Sequence, residues 1–428
     1  MDDKDHLMKH GAIMLVATVF SGIFNWGYQI AMNRMLGPKG FGILYSLLAL
    51  FMIVSLPATT VQTVIAKYTS RYRAQEQWGK ISYLLIRSAR KLSGFLAVLL
   101  IIYLLCSRLI AGFLNIPMIT PVIIIGIVLY CALLFPIGYG GLQGLERFAQ
   151  LGLMYIIASF LRLISGVFLV YWLNKIMPEL SVNGALLASI ISIGFVLAVC
   201  YWFLRDVWRF RPYDEDIEKA DIYKYFVPVA IAYFCFGVIT YIDVLIVKHY
   251  FPALEAGYFS SVSMIGKAFL FLPMAFTAAM FPKVSAQYEL GRDTRRLLYR
   301  TFLYSLGCCA VGIIVCTLFP RVFIYILMRR ADITPEALNT MIPLLRLVGL
   351  AVTPYGLVCI IINYYLARHQ IGFLFLFVPA VILQIILLAL FHQTLLQVMV
   401  VLAAAGVIIL ISCCIPSGFI VDRIKRKH

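Results

Sequence analysis

Three side-chain amides recur at a helical spacing inside an apolar stretch near the start of the chain. Asn25, Gln29 and Asn33 are spaced four apart, and residues with this spacing lie on the same side of a helix. Polar groups are expensive in lipid, so the stripe is expected to face a protein interior or a water-filled cavity. Amides donate and accept hydrogen bonds, as sugar hydroxyls require. The stripe therefore indicates a transporter for a polar cargo.

Several basic residues fall inside apolar segments. Lys267 lies near the middle of its segment, where an unpaired cation costs at least ~2.5–3.5 kcal/mol. It either lines a cavity for an anionic cargo or forms a buried ion pair with Asp243 on the preceding segment. The guanidinium of Arg162 suits phosphate, or it bridges to a neighbouring helix. Arg34 and Arg346 lie nearer the segment ends, where their side chains can also extend to lipid headgroups.

Gln62 and Asn363 add further amides within apolar segments. Such amides bind sugar hydroxyls, but they also hydrogen-bond one helix to another in membrane bundles, and both roles stay open for each amide of the set. The apolar cores of the first half contain no Asp or Glu, so the interior charge is mainly cationic and favours an anionic cargo. Asp243 is a weaker candidate for a sodium or proton site.

The elements that must position these residues are membrane spans. The chain has 428 residues, of which 63% are hydrophobic and 13% charged, whereas soluble domains hold about 25% charged residues. The first apolar stretch begins near Gly11 and is too long for a signal-peptide core, so we expect an uncleaved span. The pattern predicts about twelve spans of about 20 residues. They cover residues 12–36, 42–66, 92–112, 120–142, 152–172, 183–204, 225–249, 257–281, 301–320, 341–365, 371–391 and 396–420.

The formal net charge of +17 would suggest nucleic acid as the partner of a soluble protein. If both termini are cytoplasmic, however, most Lys and Arg fall in cytoplasmic connections and in the tail 423–427, which is the positive-inside bias. The basic stretch Lys80–Lys91 is expected to be a solvated loop, with contact to anionic headgroups as the alternative. We therefore predict a multi-pass protein of the cytoplasmic membrane and no nucleic-acid partner.

The ten cysteines lie almost entirely within apolar runs, with no C-x-x-C pair and no histidine at ligand spacing. They are expected to be packing residues, so neither a metal site nor a cofactor is predicted. There is no Walker A motif, which argues against ATP hydrolysis by this chain. No segment is typical of a soluble catalytic domain, so no enzyme activity and no catalytic residue is predicted.

The two halves of the chain are weakly similar. One constant offset pairs Pro57 with Pro273, Lys67 with Lys283 and Tyr72 with Tyr288. An even number of spans in each half would give the copies one orientation, and parallel repeats place a substrate site at the interface between two lobes. The predicted division is a lobe at 1–204, a cytoplasmic linker at 205–224 and a second lobe at 225–428.

Several motifs resemble those of Wzx-type polysaccharide flippases of the multidrug/oligosaccharidyl-lipid/polysaccharide (MOP) superfamily. NRMLGPKGFG at 33–42 is similar to their N-R-x-L-G-P-x-x-F/Y-G opening. LQGLERF at 142–148 is similar to their connection between the fourth and fifth spans. IDVLIVK at 242–248, followed by EAGY at 255–258, resembles the start of their second half.

This resemblance implies an all-α membrane protein with about twelve transmembrane helices in two parallel six-helix lobes, a V-shaped MOP/MATE-like fold around a cationic cavity. It implies a flippase that moves an undecaprenyl-pyrophosphate-linked oligosaccharide by alternating access in cell-surface polysaccharide biosynthesis. Polysaccharide polymerases or glycosyltransferases are candidate partners. Longer relatives often carry two further spans, so spore-wall-type and lipid II flippases are expected to be less similar.

On this reading the site residues divide by role. The expected diphosphate contacts are Arg34, Arg162, Lys267 and Arg346, and the expected sugar path consists of Asn25, Gln29, Asn33, Gln62 and Asn363. The alternative function is a cation-coupled MATE-like exporter of drugs or metabolites. A membrane glycosyltransferase or polymerase is a third alternative, but it would need a large outer loop, and the longest one here (about 321–339) is short.

Overall fold

The computed structural model describes residues 2–210 and 219–415, and every regular element in these ranges is a helix. The predicted all-α class is therefore confirmed. Short 3₁₀ turns occur at Pro178–Leu180 and Arg330–Asp332. The α-helices are α1 (Asp2–Ser55), α2 (Ala58–Ala74), α3 (Trp78–Leu105), α4 (Ser107–Phe113), α5 (Thr120–Ala132), α6 (Phe135–Gly144), α7 (Phe148–Ile176), α8 (Ser181–Phe203), α9 (Arg205–Trp208), α10 (Lys219–Tyr250), α11 (Ala253–Ala268), α12 (Phe271–Glu289), α13 (Arg295–Leu318), α14 (Pro320–Leu327), α15 (Pro335–Ala367), α16 (Leu374–Leu390) and α17 (Leu395–Cys414).

The helices account for the predicted spans. Within the described ranges, 10 helical stretches are long and apolar enough to cross a membrane, by length and composition. The stretch Gly11–Ala74 has 64 residues and covers two predicted spans, while the shorter Leu374–Leu390 covers another. The prediction of a multi-pass helical membrane protein is therefore confirmed. The end of the last predicted span and the basic tail 423–427 lie outside the described residues.

Breaks divide several of the apolar stretches into two helices. α2 begins directly after Pro57, Pro136 is the second residue of α6, and Pro273 is the third residue of α12. A proline has no backbone N–H, so it fits the first turn of a helix, where that group would have no intrahelical partner. These prolines therefore coincide with the places where the chain starts a new helix.

The helices group into two compact units. The first unit contains Met1–Leu36 and Val54–Ala230, and the second contains Gly37–Ile53 and Ile231–His428. This grouping differs from the predicted lobe at 1–204, because the segment 37–53 packs with the second half of the chain. The predicted linker 205–224 lies partly outside the described residues, and α10 continues across the boundary between the units.

Gly37 explains how α1 can contribute to both units. Its φ of 65° and ψ of 177° interrupt the helix, and only glycine adopts a positive φ of this kind without strain. Beyond this interruption, Gly42 approaches Gly257 of α11 so closely that a methyl group at Gly42 would lie 3.1 Å from the Gly257 backbone. A methyl group at Gly257 would lie 2.1 Å from the carbonyl oxygen of Pro38. The segment therefore packs backbone to backbone against α11.

The core of the first unit lies between α2, α3, α6, α7 and α8. α2 and α6 approach closely, because methyl groups at Gly140 and Gly144 would each lie 2.6 Å from a carbonyl oxygen of α2. Small residues at this spacing let membrane helices pack with their backbones in contact.

α15 is the central helix of the second unit. Every residue from Ala351 to Ala367 is buried, and α11, α12, α13 and α17 pack around it. The hydroxyls of Tyr355 and Tyr365 donate hydrogen bonds to the carbonyl oxygens of Leu402 and Cys413, at 2.8 and 2.9 Å. These bonds fix α17 to α15.

Candidate functional site

Lys267 is ion-paired in the second unit. Its Nζ lies 3.1 Å from Oδ1 of Asp243, and each side chain is 7% exposed. The hydroxyl of Ser263 donates a 3.0 Å hydrogen bond to the other carboxylate oxygen of Asp243. The ion pair that the sequence offered as the structural alternative for Lys267 is therefore present, and both oxygens of Asp243 are engaged.

Aromatic rings complete the surroundings of Lys267. Its Nζ lies 4.5 Å from the ring centroid of Tyr241 and 5.4 Å from that of Tyr45, and the electron-rich face of an aromatic ring attracts a cation. Ser263 and Lys267 are four residues apart on α11, which places both on the helix face towards α10. Sequence reasoning missed Tyr45, because it reaches Lys267 only through the packing of segment 37–53 with α11.

Arg162 lies against a tyrosine in the first unit. The guanidinium carbon of Arg162 on α7 is 4.2 Å from the ring centroid of Tyr28 on α1. Tyr28 is itself buried, and its hydroxyl donates a 2.8 Å hydrogen bond to the carbonyl oxygen of Ala185. Arg162 has no carboxylate partner among the described residues. Arg162 was predicted as a candidate site residue, whereas Tyr28 was missed because an aromatic residue in an apolar segment carries no distinguishing signal.

The amides of the polar stripe have different surroundings. Asn25 donates a 3.0 Å hydrogen bond to the carbonyl oxygen of Ser21 one turn earlier. Asn33 is buried at 1% exposure. Oε1 of Gln29 and Nε of Arg162 are both buried without a hydrogen-bond partner in the described part of the protein. Such atoms in a native structure call for an explanation such as a bound ligand or ordered water.

The other two amides connect helices. Nε2 of Gln62 on α2 donates a 3.0 Å hydrogen bond to Oε1 of Gln143 on α6. Oδ1 of Asn363 on α15 accepts a 3.1 Å hydrogen bond from the hydroxyl of Tyr233 on α10. Nδ2 of Asn363 donates to the carbonyl oxygen of Cys359 at 2.9 Å. The helix-to-helix role that the sequence left open is thus present for both residues.

Arg34 and Arg346 are exposed. Each unit contains part of the predicted set. The first unit holds Asn25, Gln29, Asn33, Arg34, Gln62 and Arg162, and the second holds Asp243, Lys267, Arg346 and Asn363. The contacts bring Lys267 to Asp243. Asn25, Gln62, Arg162 and Asn363 contact residues outside the predicted set. Among the described residues, no group of at least three His, Cys, Asp or Glu side chains could hold a metal ion.

A sequence profile described as polysaccharide biosynthesis protein matches residues 7–287, which is well over half of the chain. The chain belongs to the polysaccharide biosynthesis protein family. The match includes the polar stripe, Arg162, Asp243 and Lys267 of this family member, and ends before Arg346 and Asn363. A comparison with curated protein sequences gave no significant match.

Solved structures share the fold of this polysaccharide biosynthesis protein. An inward-facing multidrug resistance MATE family transporter of the MOP superfamily matches with a TM-score of 0.73 and 14% identity, over 95% of this chain and 94% of that chain. The lipid II flippase MurJ in an inward closed conformation matches with a TM-score of 0.69 and 14% identity, over 94% and 86%. A MOP superfamily transporter from Pyrococcus furiosus matches with a TM-score of 0.65 and 14% identity, over 100% and 96%.

These matches confirm the MOP/MATE-like fold and the superfamily resemblance. Together with family membership they support a membrane transporter or flippase. The Wzx type, the cargo and the roles of individual residues stay predictions, because likeness at 14% identity shows only the fold.

Proposed function

We propose that this protein is a flippase that moves an undecaprenyl-pyrophosphate-linked oligosaccharide across the cytoplasmic membrane by alternating access, without covalent chemistry, with both termini in the cytoplasm. Membership of the polysaccharide biosynthesis family supports a role in cell-surface polysaccharide synthesis. The shared fold with a lipid II flippase supports a lipid-linked cargo. Polysaccharide polymerases or glycosyltransferases would be its partners.

The observation that carries this proposal is the surroundings of the Arg162 side chain. Its side chain is half-buried in an apolar helix, stacks on Tyr28 and has no carboxylate partner in the described ranges. A cation in such a position is costly unless an anion or water stabilises it. Its free Nε–H could donate to a diphosphate oxygen, and charge-assisted hydrogen bonds of this kind are strong. Oε1 of Gln29, which also has no partner within the described residues, could accept from a sugar hydroxyl.

The remaining predicted residues fit secondary roles in the same process. Lys267 can contact diphosphate only by leaving Asp243, so we propose that the cargo competes with this ion pair during transport. Arg34 and Arg346 are exposed and would contact the diphosphate as it enters or leaves. Asn25 and Asn33 would line the sugar path, and Gln62 and Asn363 would join it when the helices that they connect rearrange.

Arg162→Ala tests the proposal directly. We expect loss of glycan export and accumulation of lipid-linked intermediates, with normal protein level in the membrane. Arg162→Lys should restore little, because an ammonium lacks the planar fork that binds phosphate and stacks on Tyr28. Lys175→Ala is the matched control, since Lys175 is an exposed cation on α7 whose Nζ lies 4.4 Å from the ring centroid of Tyr171. Full export by Arg162→Ala would contradict the assignment.

The second candidate function is a cation-coupled exporter of drugs or metabolites, which the shared fold with a multidrug resistance MATE transporter favours. Asp243 would then be the sodium or proton site. A deletion strain should become drug-sensitive if the exporter is correct, whereas it should accumulate lipid-linked sugars if the flippase is correct. If the rate of flipping in reconstituted vesicles is the same with and without sodium and proton gradients, a coupling role for Asp243 is excluded.

A further inference from the structure

The first unit contains a cavity of about 430 Å³ between α3, α6, α8 and α9. Ligand pockets in proteins typically measure about 300–1,000 Å³. The wall is formed largely by apolar side chains, including Leu85, Ile137, Leu197 and Leu204. Arg90 is the charged residue that lines it among the described residues. The cavity is therefore largely apolar, with one cation among its described lining residues.

Aromatic residues surround this part of the unit. Tyr201 and Trp208 both line the cavity and stack with ring centroids 5.8 Å apart. Trp78 at the start of α3 stacks on Phe210, with centroids 5.9 Å apart. Tryptophan and tyrosine are enriched where a membrane meets water, at the level of the lipid headgroups. These aromatic residues beside the cavity are therefore typical of the headgroup level of a membrane.

The charge of Arg90 has no ion-pair partner in the described ranges. Arg90 is exposed and forms no ion pair with any described residue. Asp206, on the neighbouring α9, is already engaged, with carboxylate oxygens 3.5 Å from Arg147 and 3.9 Å from Arg205. A guanidinium without a carboxylate partner in the described part of the chain, beside an apolar cavity, complements a negatively charged lipid, because the apolar wall can bind the acyl chain and the cation can bind the phosphate.

We propose that this cavity binds one acyl chain of an anionic phospholipid whose phosphate contacts Arg90. A zwitterionic phospholipid has the same phosphate, but its ammonium group offsets the negative charge, so it should bind less tightly. The site does not depend on the proposed transport function, since none of its lining residues belongs to the predicted cargo path. It also gives Arg90, within the basic stretch Lys80–Lys91, a defined ligand in place of a general attraction to the membrane surface.

Trp208 provides the readout, because it lines the cavity. The full chain would be reconstituted with phosphatidylglycerol or phosphatidylcholine carrying brominated acyl chains, which quench nearby tryptophan fluorescence. Quenching of Trp208 is the difference between the wild type and Trp208→Phe. We expect a preference of about fivefold for the anionic lipid, the effect of one basic residue near a membrane surface. The preference should disappear in Arg90→Gln and persist in Lys91→Gln, which removes an exposed cation that does not line the cavity.

Native mass spectrometry of the full chain gives an independent measurement if Trp208→Phe does not fold. The wild type and Lys91→Gln should retain one phosphatidylglycerol, whereas Arg90→Gln and the cavity-filling Ala89→Trp should lose it. Equal quenching by the two lipids in the wild type, or an undiminished preference in Arg90→Gln, would overturn the proposal. So would undecaprenyl phosphate displacing phosphatidylglycerol at lower concentration, because the cavity would then belong to the prenyl tail of the cargo.

Discussion

Neutralising Lys267 and Asp243 separately and together distinguishes a structural from a transporting role for this pair. Lys267→Met leaves the Asp243 carboxylate buried with Ser263 as its remaining hydrogen-bond donor at 3.0 Å. Asp243→Asn leaves the ammonium of Lys267 buried against the rings of Tyr45 and Tyr241. Removing one partner of a buried ion pair costs about 3–5 kcal/mol. Replacing both partners by neutral groups of similar volume is often nearly neutral.

These magnitudes predict a clear pattern of stability. Because stability is typically about 5–15 kcal/mol, each single substitution should remove a large part of it, and protein level in the membrane should fall. The double variant Asp243→Asn/Lys267→Met should return to nearly the wild-type level. Arg73→Met is the control, since Arg73 pairs with Glu146 at 2.8 Å in an exposed position, where an ion pair contributes about 0–1 kcal/mol.

The assay measures membrane protein level and glycan export in the same cells. If Lys267 contacts the diphosphate, the double variant should be present but should not export. Normal export by the double variant would refute a diphosphate role for Lys267 and assign the pair to structure alone. Normal protein level and thermal stability in both single variants would instead refute the expected cost of leaving one buried charge unpaired.

Two further predictions concern helix packing. Gly144→Ala should lower the thermal stability of the purified protein, because the added methyl group would lie 2.6 Å from a backbone oxygen of α2. The control is Gly94→Ala on α3, where the methyl group meets nothing within 4 Å and should stabilise the protein by about 0.5–1 kcal/mol. Equal effects of the two substitutions would contradict the close-packing explanation. Tyr233→Phe should lower the free energy of unfolding by about 0.6 kcal/mol, a typical value for a hydrogen bond between membrane helices, because Oδ1 of Asn363 loses the donor at 3.1 Å. The control is Tyr299→Phe, since Tyr299 is exposed. Equal melting temperatures of the two variants would show that this hydrogen bond does not stabilise the unit.

The sequence alone determined the class of the protein and the membrane-spanning helices. Long apolar stretches can satisfy their backbone hydrogen bonds in lipid only as helices or closed barrels, so composition and span length carry most of the information. The two alternatives for Lys267 were also predictable from the sequence, because a buried cation needs an anion or water beside it and Asp243 was at a suitable depth in the preceding span. The sequence could not choose between them, since the choice depends on which face of α11 meets α10.

The tertiary structure alone decided which residues touch across distant helices. Segment 37–53 groups with the second unit because Gly37 interrupts α1 and Gly42 meets Gly257, and span counts by themselves do not indicate this grouping. The stacking of Arg162 on Tyr28, the bond from Gln62 to Gln143 and the apolar cavity beside Arg90 depend in the same way on partners far apart in the chain. Periodicity fixes the face of a helix on which a side chain lies, but only packing fixes what that face meets.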